Sequence, residues 1–373
     1  MIVAPLLSIL LLASTSTINA FAPVRSQVGI QAAASNSHLY TSINDSDELE
    51  VNLPDRRQLF QSTVYTAAAA SASLFFPTFA SAEEVSFGTD ASSPIAIIGA
   101  GGKVGSMCLK VLNSKQLYTK ALTRSGRQIL PDSSSFVTYG SGDVTNYEAI
   151  KSALQGCSSA IFAASASGKA KGGDPAHVDY LGLYNTAKAC LELGVTKLVV
   201  VSAGSVTRPD FVGFKATNFF VKYVYGDKIM DYKIAGESVM RDLYAQQDKC
   251  AYCVVRPGGL ADGPAEGPSN IHVSQGDVYS AEINREDVAE MTVAALLKGS
   301  ASDNTTFELN NIKGLSKVSK DLVDAPKELV HAGAKTYGAM LDGLITDAGM
   351  KTKYPQYMND FRGDKIEPVS KIV

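Results

Sequence analysis

Three glycines, Gly99, Gly102 and Gly105, form the part of the sequence that most clearly suggests chemistry. They follow the apolar run Ile95–Ile98 and precede a helical pattern. At such a junction the first glycine allows a tight turn, the second lets a pyrophosphate approach the backbone, and the third lets the helix pack closely on the sheet. Free N–H groups at the helix start would then bind the phosphates. The pattern predicts a dinucleotide site; the alternative is a glycine-rich turn without a ligand.

The residues after the expected second strand indicate which dinucleotide binds. An NAD site needs an acid about 20 residues beyond the glycines to hold the ribose hydroxyl. No Asp or Glu occurs between Asp90 and Asp132, and Arg124 and Arg127 are found there instead. A guanidinium pairs well with a 2′-phosphate, so NADP(H) is favoured over NAD(H). The complete predicted cofactor-binding set is Gly99, Gly101, Gly102, Lys103, Val104, Gly105, Arg124, Arg127, Asp143, Val144, Ala163, Ala164, Ser165, Ser202, Lys233, Pro257, Gly258 and Gly259.

Alternating strands and helices must position these residues. The predicted strands cover residues 95–98, 120–123, 136–139, 159–163, 197–202 and 252–255, and the predicted helices cover 104–112, 147–154, 177–193 and 231–244. Such alternation implies the α/β class, with a single Rossmann-type doubly wound parallel sheet. On it, Asp143 and Val144 would contact the adenine, and residues 163–165 would line the ribose.

Three further segments carry predictions of their own. Helical spacing of apolar residues over 329–345 predicts a small C-terminal helical region, packed on the domain or offered to a partner. Residues 165–174 are rich in glycine and lysine and are either a mobile flap or an ordinary long loop. Cys250 and Cys253 form a C-x-x-C, expected to be core thiols, with a redox pair as the alternative.

Composition excludes several classes of protein. The 373 residues are 45% apolar and 19% charged, which is typical of a globular chain. A formal net charge of −3 argues against a broad nucleic-acid surface. Four scattered His show no zinc-type spacing, so no metal is predicted, and five Cys are too few for a disulfide framework.

The N-terminal region resembles a series of targeting signals. Residues 1–20 have the shape of a secretory signal peptide, and Phe21 begins a junction similar to the bipartite plastid presequence of algae with complex plastids. Residues 21–55 would be the transit region. Arg56 and Arg57, a mild apolar stretch and a closing Ala-Ser-Ala resemble a twin-arginine signal over 56–82 for the thylakoid lumen. The alternative is that residues 58–79 remain as an anchor helix.

Downstream motifs carry a family resemblance. GAGGKVG, LTR, GDVTN, KLVVVSAGSV, YKIAGESVMRD and VVRPGGLADGP occur in this order. Over residues 94–312 the chain resembles the atypical short-chain dehydrogenase/reductases of plastids and cyanobacteria, of the NmrA-like, NAD(P)H-binding type. The resemblance implies one Rossmann domain, residues 83–313, with an extension over 314–373.

The same resemblance implies a catalytic set that is incomplete here. Orthodox members use Ser, Tyr and Lys, and Ser202 and Lys233 occupy the first and last of these positions, while Ile229 stands at the Tyr position. Tyr223, Tyr225 and Tyr232 are close in sequence but lack the spacing. We therefore expect either a plastid NADPH reductase of a quinone, flavin or pigment-type molecule, or a non-catalytic assembly factor associated with thylakoid membrane complexes.

Overall fold

The molecule is built on a nine-stranded, mostly parallel sheet. A computed structural model describes residues 86–166, 173–225 and 228–372. In sheet order the strands are β3, β2, β1, β4, β5, β6, β11, β8 and β13, all parallel up to β11 and antiparallel beyond it. Their bounds are β1 Ile95–Ile98, β2 Thr119–Thr123, β3 Val137–Ser141, β4 Ser159–Phe162, β5 Lys197–Val201, β6 Ala251–Pro257, β8 Ile271–Ser274, β11 Thr305–Asn311 and β13 Val330–Ala332.

Two short ribbons lie beside the sheet. Parallel β7 and β10 and antiparallel β9 and β12 form them. Their bounds are β7 Gly259–Ala261, β9 Tyr279–Ser280, β10 Glu282–Asn284 and β12 Ser316–Lys317.

Helices cover both faces of the sheet. They are α1 Lys103–Ser114, α2 Tyr147–Leu154, α3 Gly182–Leu193, α4 Val212–Tyr225, α5 Ile229–Tyr244, α6 Arg285–Leu297 and α7 Asp347–Lys353. One large apolar core joins α1 and α6 to the sheet, and a second large core joins α2, α3 and α5 to the opposite face. The doubly wound α/β architecture predicted from the strand–helix alternation is confirmed, including strands buried on both faces.

The long helix expected over residues 177–193 is interrupted. Residues Ala176–Leu181 form a π-helical turn, and α-helical geometry begins only at Gly182. π-helical turns are rare and occur often at functional sites. Compared with an α-helix, a π-helical turn points its side chains in different directions. Asp179, on this turn, belongs to the candidate site.

The helix predicted over residues 329–345 is wrong. Strand β13 and a 3₁₀ turn at Gly338–Leu341 occupy this segment, and the C-terminal α-helix is α7, further along the chain. Leu329 packs in a small cluster beneath the tail, whereas Met340 and Leu341 pack in the α1–α6 core. Two separate packing requirements therefore produce an apolar spacing that imitates one helix.

No helix among the described residues has both the length and the apolar character needed to cross a membrane. The targeting signals predicted over residues 1–82 lie outside the described residues, as do residues 167–172 of the predicted flap.

Candidate functional site

The glycine turn between β1 and α1 has no room for side chains. Gly99 has a φ of 82°, and a Cβ there would lie 2.6 Å from the backbone nitrogen of Ala164. A Cβ on Gly105 would lie 2.3 Å from the carbonyl oxygen of Gly99. Gly102 is the N-cap of α1 and makes no side-chain cap. The N–H groups that begin α1 therefore face a cradle that a pyrophosphate fits.

The two predicted 2′-phosphate ligands lie beside this cradle. Arg124 and Arg127 are exposed on the turn after β2. Thr123 Oγ1 accepts a hydrogen bond from the Arg127 backbone, and the Arg127 guanidinium lies 3.5 Å from where Gly101 would carry a Cβ. Two exposed cations thus flank the loop, and the described turn after β2 carries no acid to hold a ribose hydroxyl, which is the charge pattern a 2′-phosphate requires.

Asp143 and Val144 stabilise the turn after β3. The Asp143 carboxylate accepts hydrogen bonds from the backbone and hydroxyl of Thr145, at 3.0 and 2.8 Å. Val144 is buried, and its carbonyl accepts from Asn185 at 2.9 Å. The turn is therefore preformed where the predicted adenine contact would be.

A buried carboxylate that sequence reasoning missed connects β4 to α5. Asp179, in the π-helical turn, accepts hydrogen bonds from Ser165 Oγ at 2.7 Å and from Lys233 Nζ at 2.8 Å through the same oxygen. Its other oxygen accepts from the Ala166 backbone at 2.9 Å. Asp179 therefore fixes the Lys233 ammonium beside the strand end that was predicted to line the ribose.

Close helix packing makes this arrangement possible. A Cβ on Gly236 would lie 2.3 Å from the Asp179 carbonyl oxygen, so only glycine lets α5 approach the π-helical turn. The glycine of the Lys-x-x-Gly-Glu sequence was the available signal, because it marks a close backbone approach. Its partner could not be named, since Asp179 lies 54 positions from Lys233 along the chain.

The Ser202 hydroxyl donates a hydrogen bond into a buried ion cluster. Ser202 Oγ donates to Glu237 at 2.5 Å, and Glu237 also pairs with Arg256 at 2.7 Å and Arg241 at 2.9 Å. Burial opposes ionisation of Glu237, but the two guanidinium groups outweigh it and lower its pKa to about 2. Glu237 is thus a permanent anion that orients the Ser202 hydroxyl.

A second carboxylate on the same arginine behaves in the opposite way. Glu308 lies 3.3 Å from Arg256 and accepts a hydrogen bond from the Asp277 backbone at 2.9 Å. Burial and the Asp277 charge outweigh the shared Arg256, raising the pKa of Glu308 to about 8. Glu308 lines a cavity of about 270 Å³ between α5, α7 and residues 357–362. This cavity lies apart from the glycine turn.

The position of the missing tyrosine lies in an apolar environment. Ile229 is buried with Val206, Phe214 and Ile234. Of the three neighbouring tyrosines, only Tyr232 has a described side chain, with its ring 6.4 Å from that of Tyr180. The side chains of Tyr223 and Tyr225 lie outside the described part of the chain. Ile229 cannot donate a proton to a substrate oxygen.

Close packing shapes the Pro257-Gly258-Gly259 turn at the end of β6. A Cβ on Gly258 would lie 2.0 Å from the Ala281 carbonyl oxygen. The Pro257 carbonyl accepts from the Gly204 backbone at 2.6 Å, which holds the ends of β5 and β6 together. Close packing alone therefore explains Gly258, whatever its relation to the cofactor.

The cysteines show no redox pair. All five are free and buried. Cys250 and Cys253 belong to the apolar cores on opposite faces of the sheet, and burial raises the pKa of Cys253 to about 11. Among the described residues, no group of three or more His, Cys, Asp or Glu side chains is placed to hold a metal ion.

Comparison with known proteins agrees with this geometry. The chain is similar to UPF0659 protein YMR090W of Saccharomyces cerevisiae, with 28% identity over 228 residues, 58% of this chain and 92% of that protein. It is also similar to the uncharacterized protein At2g34460, chloroplastic, of Arabidopsis thaliana, with 27% identity over 154 residues. That match covers 41% of this chain and about half, 52%, of the Arabidopsis protein.

The chain is also similar to solved structures. The oxidoreductase ylbE from Lactococcus lactis matches with a TM-score of 0.47 and 24% identity, over 60% of this chain and 93% of that one. The profile of the NAD(P)H-binding family matches residues 99–298, which contain the glycine turn, Lys233 and the Asp179 contact. The chain belongs to the NAD(P)H-binding family, and its mostly parallel sheet with helices on both faces is Rossmann-like.

Proposed function

We propose that this protein is an NADPH-dependent reductase whose acceptor takes its proton from water. Quinones, flavins and pigment-type rings are acceptors of this kind. The observation that carries the proposal is Ile229, buried in an apolar cluster where orthodox relatives place the proton-donating tyrosine. General acid catalysis needs a group of tuned pKa within reach of the reacting oxygen, and no such group stands at this position.

The described residues would bind the cofactor and orient the acceptor. When bound, NADPH supplies the hydride. The glycine cradle would hold its pyrophosphate, and Arg124 and Arg127 would hold the 2′-phosphate. Lys233, fixed by Asp179 at 2.8 Å, would bind the ribose next to the nicotinamide. Ser202 donates its hydroxyl hydrogen to Glu237, so its oxygen would orient the acceptor only by accepting a hydrogen bond, for example from an N–H of a flavin or tetrapyrrole ring.

The test is NADPH oxidation by the purified protein with a panel of acceptors. We expect turnover with at least one quinone, flavin or tetrapyrrole-type acceptor and negligible turnover with simple aldehydes and ketones. Efficient reduction of a simple ketone would contradict the proposal. A parallel titration with NADPH and NADH separates a failure of binding from a failure of hydride transfer.

A second function, a non-catalytic assembly factor for photosynthetic complexes, is favoured by the same replacement of tyrosine by Ile229. In this case the dinucleotide would only stabilise the fold. A pull-down from thylakoid membranes with NADPH-loaded protein would recover a complex, and none of the acceptors would be reduced. Turnover without any recovered complex would rule this candidate out.

The proposed location is the plastid of an alga with complex plastids, within the thylakoid lumen. Support comes from the signal-like sequence of residues 1–82 and, more weakly, from the chloroplastic name of the Arabidopsis relative. The lumen does not make NADPH, but a twin-arginine route carries folded proteins and could carry bound cofactor with them. Replacing Arg56 and Arg57 by Lys should leave a reporter fusion in the stroma; lumenal arrival of that variant would contradict the route.

A further inference from the structure

Two cations at neighbouring helix starts share one carboxylate. Lys103 is the first residue of α1 and Arg285 is the first residue of α6. Asp262 pairs with both, at 2.8 Å from Lys103 Nζ and 2.5 Å from Arg285 Nη1. Because α1 and α6 contribute to the same apolar core, their positive N-terminal ends lie on the same side of the sheet. The Asp262 carboxylate therefore lies where a second anion would also be attracted.

The ion pair also crosses the edge at which the dinucleotide would bind. Lys103 follows β1 and Asp262 follows β6 and β7, while β4 and β5 lie between β1 and β6 in the sheet. Three strand spacings amount to about 14 Å. In sheets of this kind, ligands bind in the crevice at the carboxyl ends of the strands. The Lys103–Asp262 pair spans that crevice next to the glycine cradle.

The two partners can separate without moving the backbone. The loop after Asp262 is anchored to α6, because Glu286 accepts from the Ala265 backbone and Asp287 accepts from the Glu266 and Gly267 backbones. The side chains of Lys103 and Asp262 are 64% and 63% exposed. The fixed loop thus holds the carboxylate in place, while the long Lys103 side chain can rotate away from it.

We infer that Asp262 competes with the cofactor pyrophosphate for Lys103 and thereby weakens NADPH binding. An ammonium that donates to a carboxylate has fewer protons to donate to a phosphate. Neutralising Asp262 leaves Lys103 and Arg285 with no shared counter-ion at the cradle. The inference rests on the NADPH binding in the proposed function and does not depend on hydride transfer.

Titration of NADPH into Asp262→Asn by calorimetry tests this competition. We expect the dissociation constant to fall about two- to fivefold, the range spanned by exposed ion pairs. Lys103→Gln should weaken binding, and adding Asp262→Asn to it should change affinity by less than about 1.5-fold. The matched control is Asp242→Asn, because Asp242 pairs with Arg362 at the same 2.8 Å and is 57% exposed; its affinity should equal the wild type.

Other outcomes would overturn the inference that Asp262 competes for Lys103. Equal or weaker NADPH binding by Asp262→Asn, at an unchanged melting temperature, would show that Asp262 is neutral or holds the site closed. An equal gain in the Lys103→Gln background would show that Lys103 is not the contested group. A wild type that binds NADPH but reduces no acceptor would defeat the proposed reductase and leave this inference standing. A wild type that binds no NADPH would overturn both.

Discussion

The glycine turn, here called the cofactor side, and the buried ion pairs that hold Ser202 and Lys233, here called the acceptor side, are built by different means. On the cofactor side, backbone atoms make the shape, because Gly99 and Gly105 sit where a Cβ would meet other backbone at 2.6 and 2.3 Å. On the acceptor side, charged side chains do so: Glu237 holds Ser202, and Asp179 holds Lys233. The first arrangement would accommodate a phosphate whatever is attached to it. The second fixes two polar groups in place but adds no proton donor at Ile229.

The largest effect should come from removing the central anion of the acceptor side. Glu237→Ala leaves Arg256 and Arg241 without their shared partner, and loss of one member of a buried ion pair costs about 3–5 kcal/mol. Urea unfolding should show this loss. Glu367→Ala is the control, since Glu367 forms an exposed pair with Lys371 at 2.7 Å. A loss below about 1 kcal/mol for Glu237→Ala would mean that the cluster relaxes without it.

The cofactor side should respond in binding. Gly105→Val forces a side chain against the Gly99 carbonyl, and overpacking of this size costs about 1–3 kcal/mol. Because a displaced start of α1 would no longer direct its N–H groups at the pyrophosphate, we expect NADPH affinity to fall by roughly tenfold or more. Gly338→Ala is the control, because its Cβ would meet nothing closer than 3.8 Å. Near-normal NADPH affinity in Gly105→Val would show that the cradle does not bind the pyrophosphate.

Glu308, which shares Arg256 with the acceptor side, should make the unfolding free energy of the protein depend on pH. Its pKa in the folded protein is raised to about 8 from an ordinary 4.5, so the folded state holds a proton that the unfolded state releases. This contribution is fully present below pH 4.5 and is lost as the pH rises towards 8. We expect the unfolding free energy to fall by up to about 1.4 kcal/mol for each pH unit of this window. Glu308→Gln should flatten the profile; an unchanged profile would assign the dependence elsewhere.

A smaller effect should distinguish the two nicotinamide cofactors. Arg124→Ala would remove a charge-assisted contact to the 2′-phosphate, worth about 1.5–3 kcal/mol, so NADPH affinity should fall by roughly tenfold or more. NADH affinity should stay constant, and this makes NADH the internal control. Equal affinities for NADPH and NADH in the wild type would refute the assignment of Arg124 and Arg127.

The sequence predicted individual strands and helices well because the rules for single elements are local. The strand Ile95–Ile98 and the helix Tyr147–Leu154 form with the predicted bounds. The ion pairs of the acceptor side could not be predicted, because their partners are distant in sequence. Asp179 contacts Lys233 from a π-helical turn, and Glu237 contacts Ser202 only when α5 packs on β5. The false C-terminal helix has a similar origin, since tertiary packing of β13 and the 3₁₀ turn at Gly338–Leu341 created its apolar spacing.

Single-turnover hydride transfer tests the account most directly. NADPH-loaded protein would be mixed, without oxygen, with either a quinone or a simple ketone, and the disappearance of NADPH followed in the wild type, Lys233→Ala and Tyr232→Phe. We predict NADPH oxidation by the quinone alone, a rate in Tyr232→Phe close to that of the wild type, and weakened NADPH binding in Lys233→Ala. Ketone reduction at a comparable rate, or a large loss of rate in Tyr232→Phe with intact NADPH affinity, would show that a displaced tyrosine supplies the proton and would contradict the account.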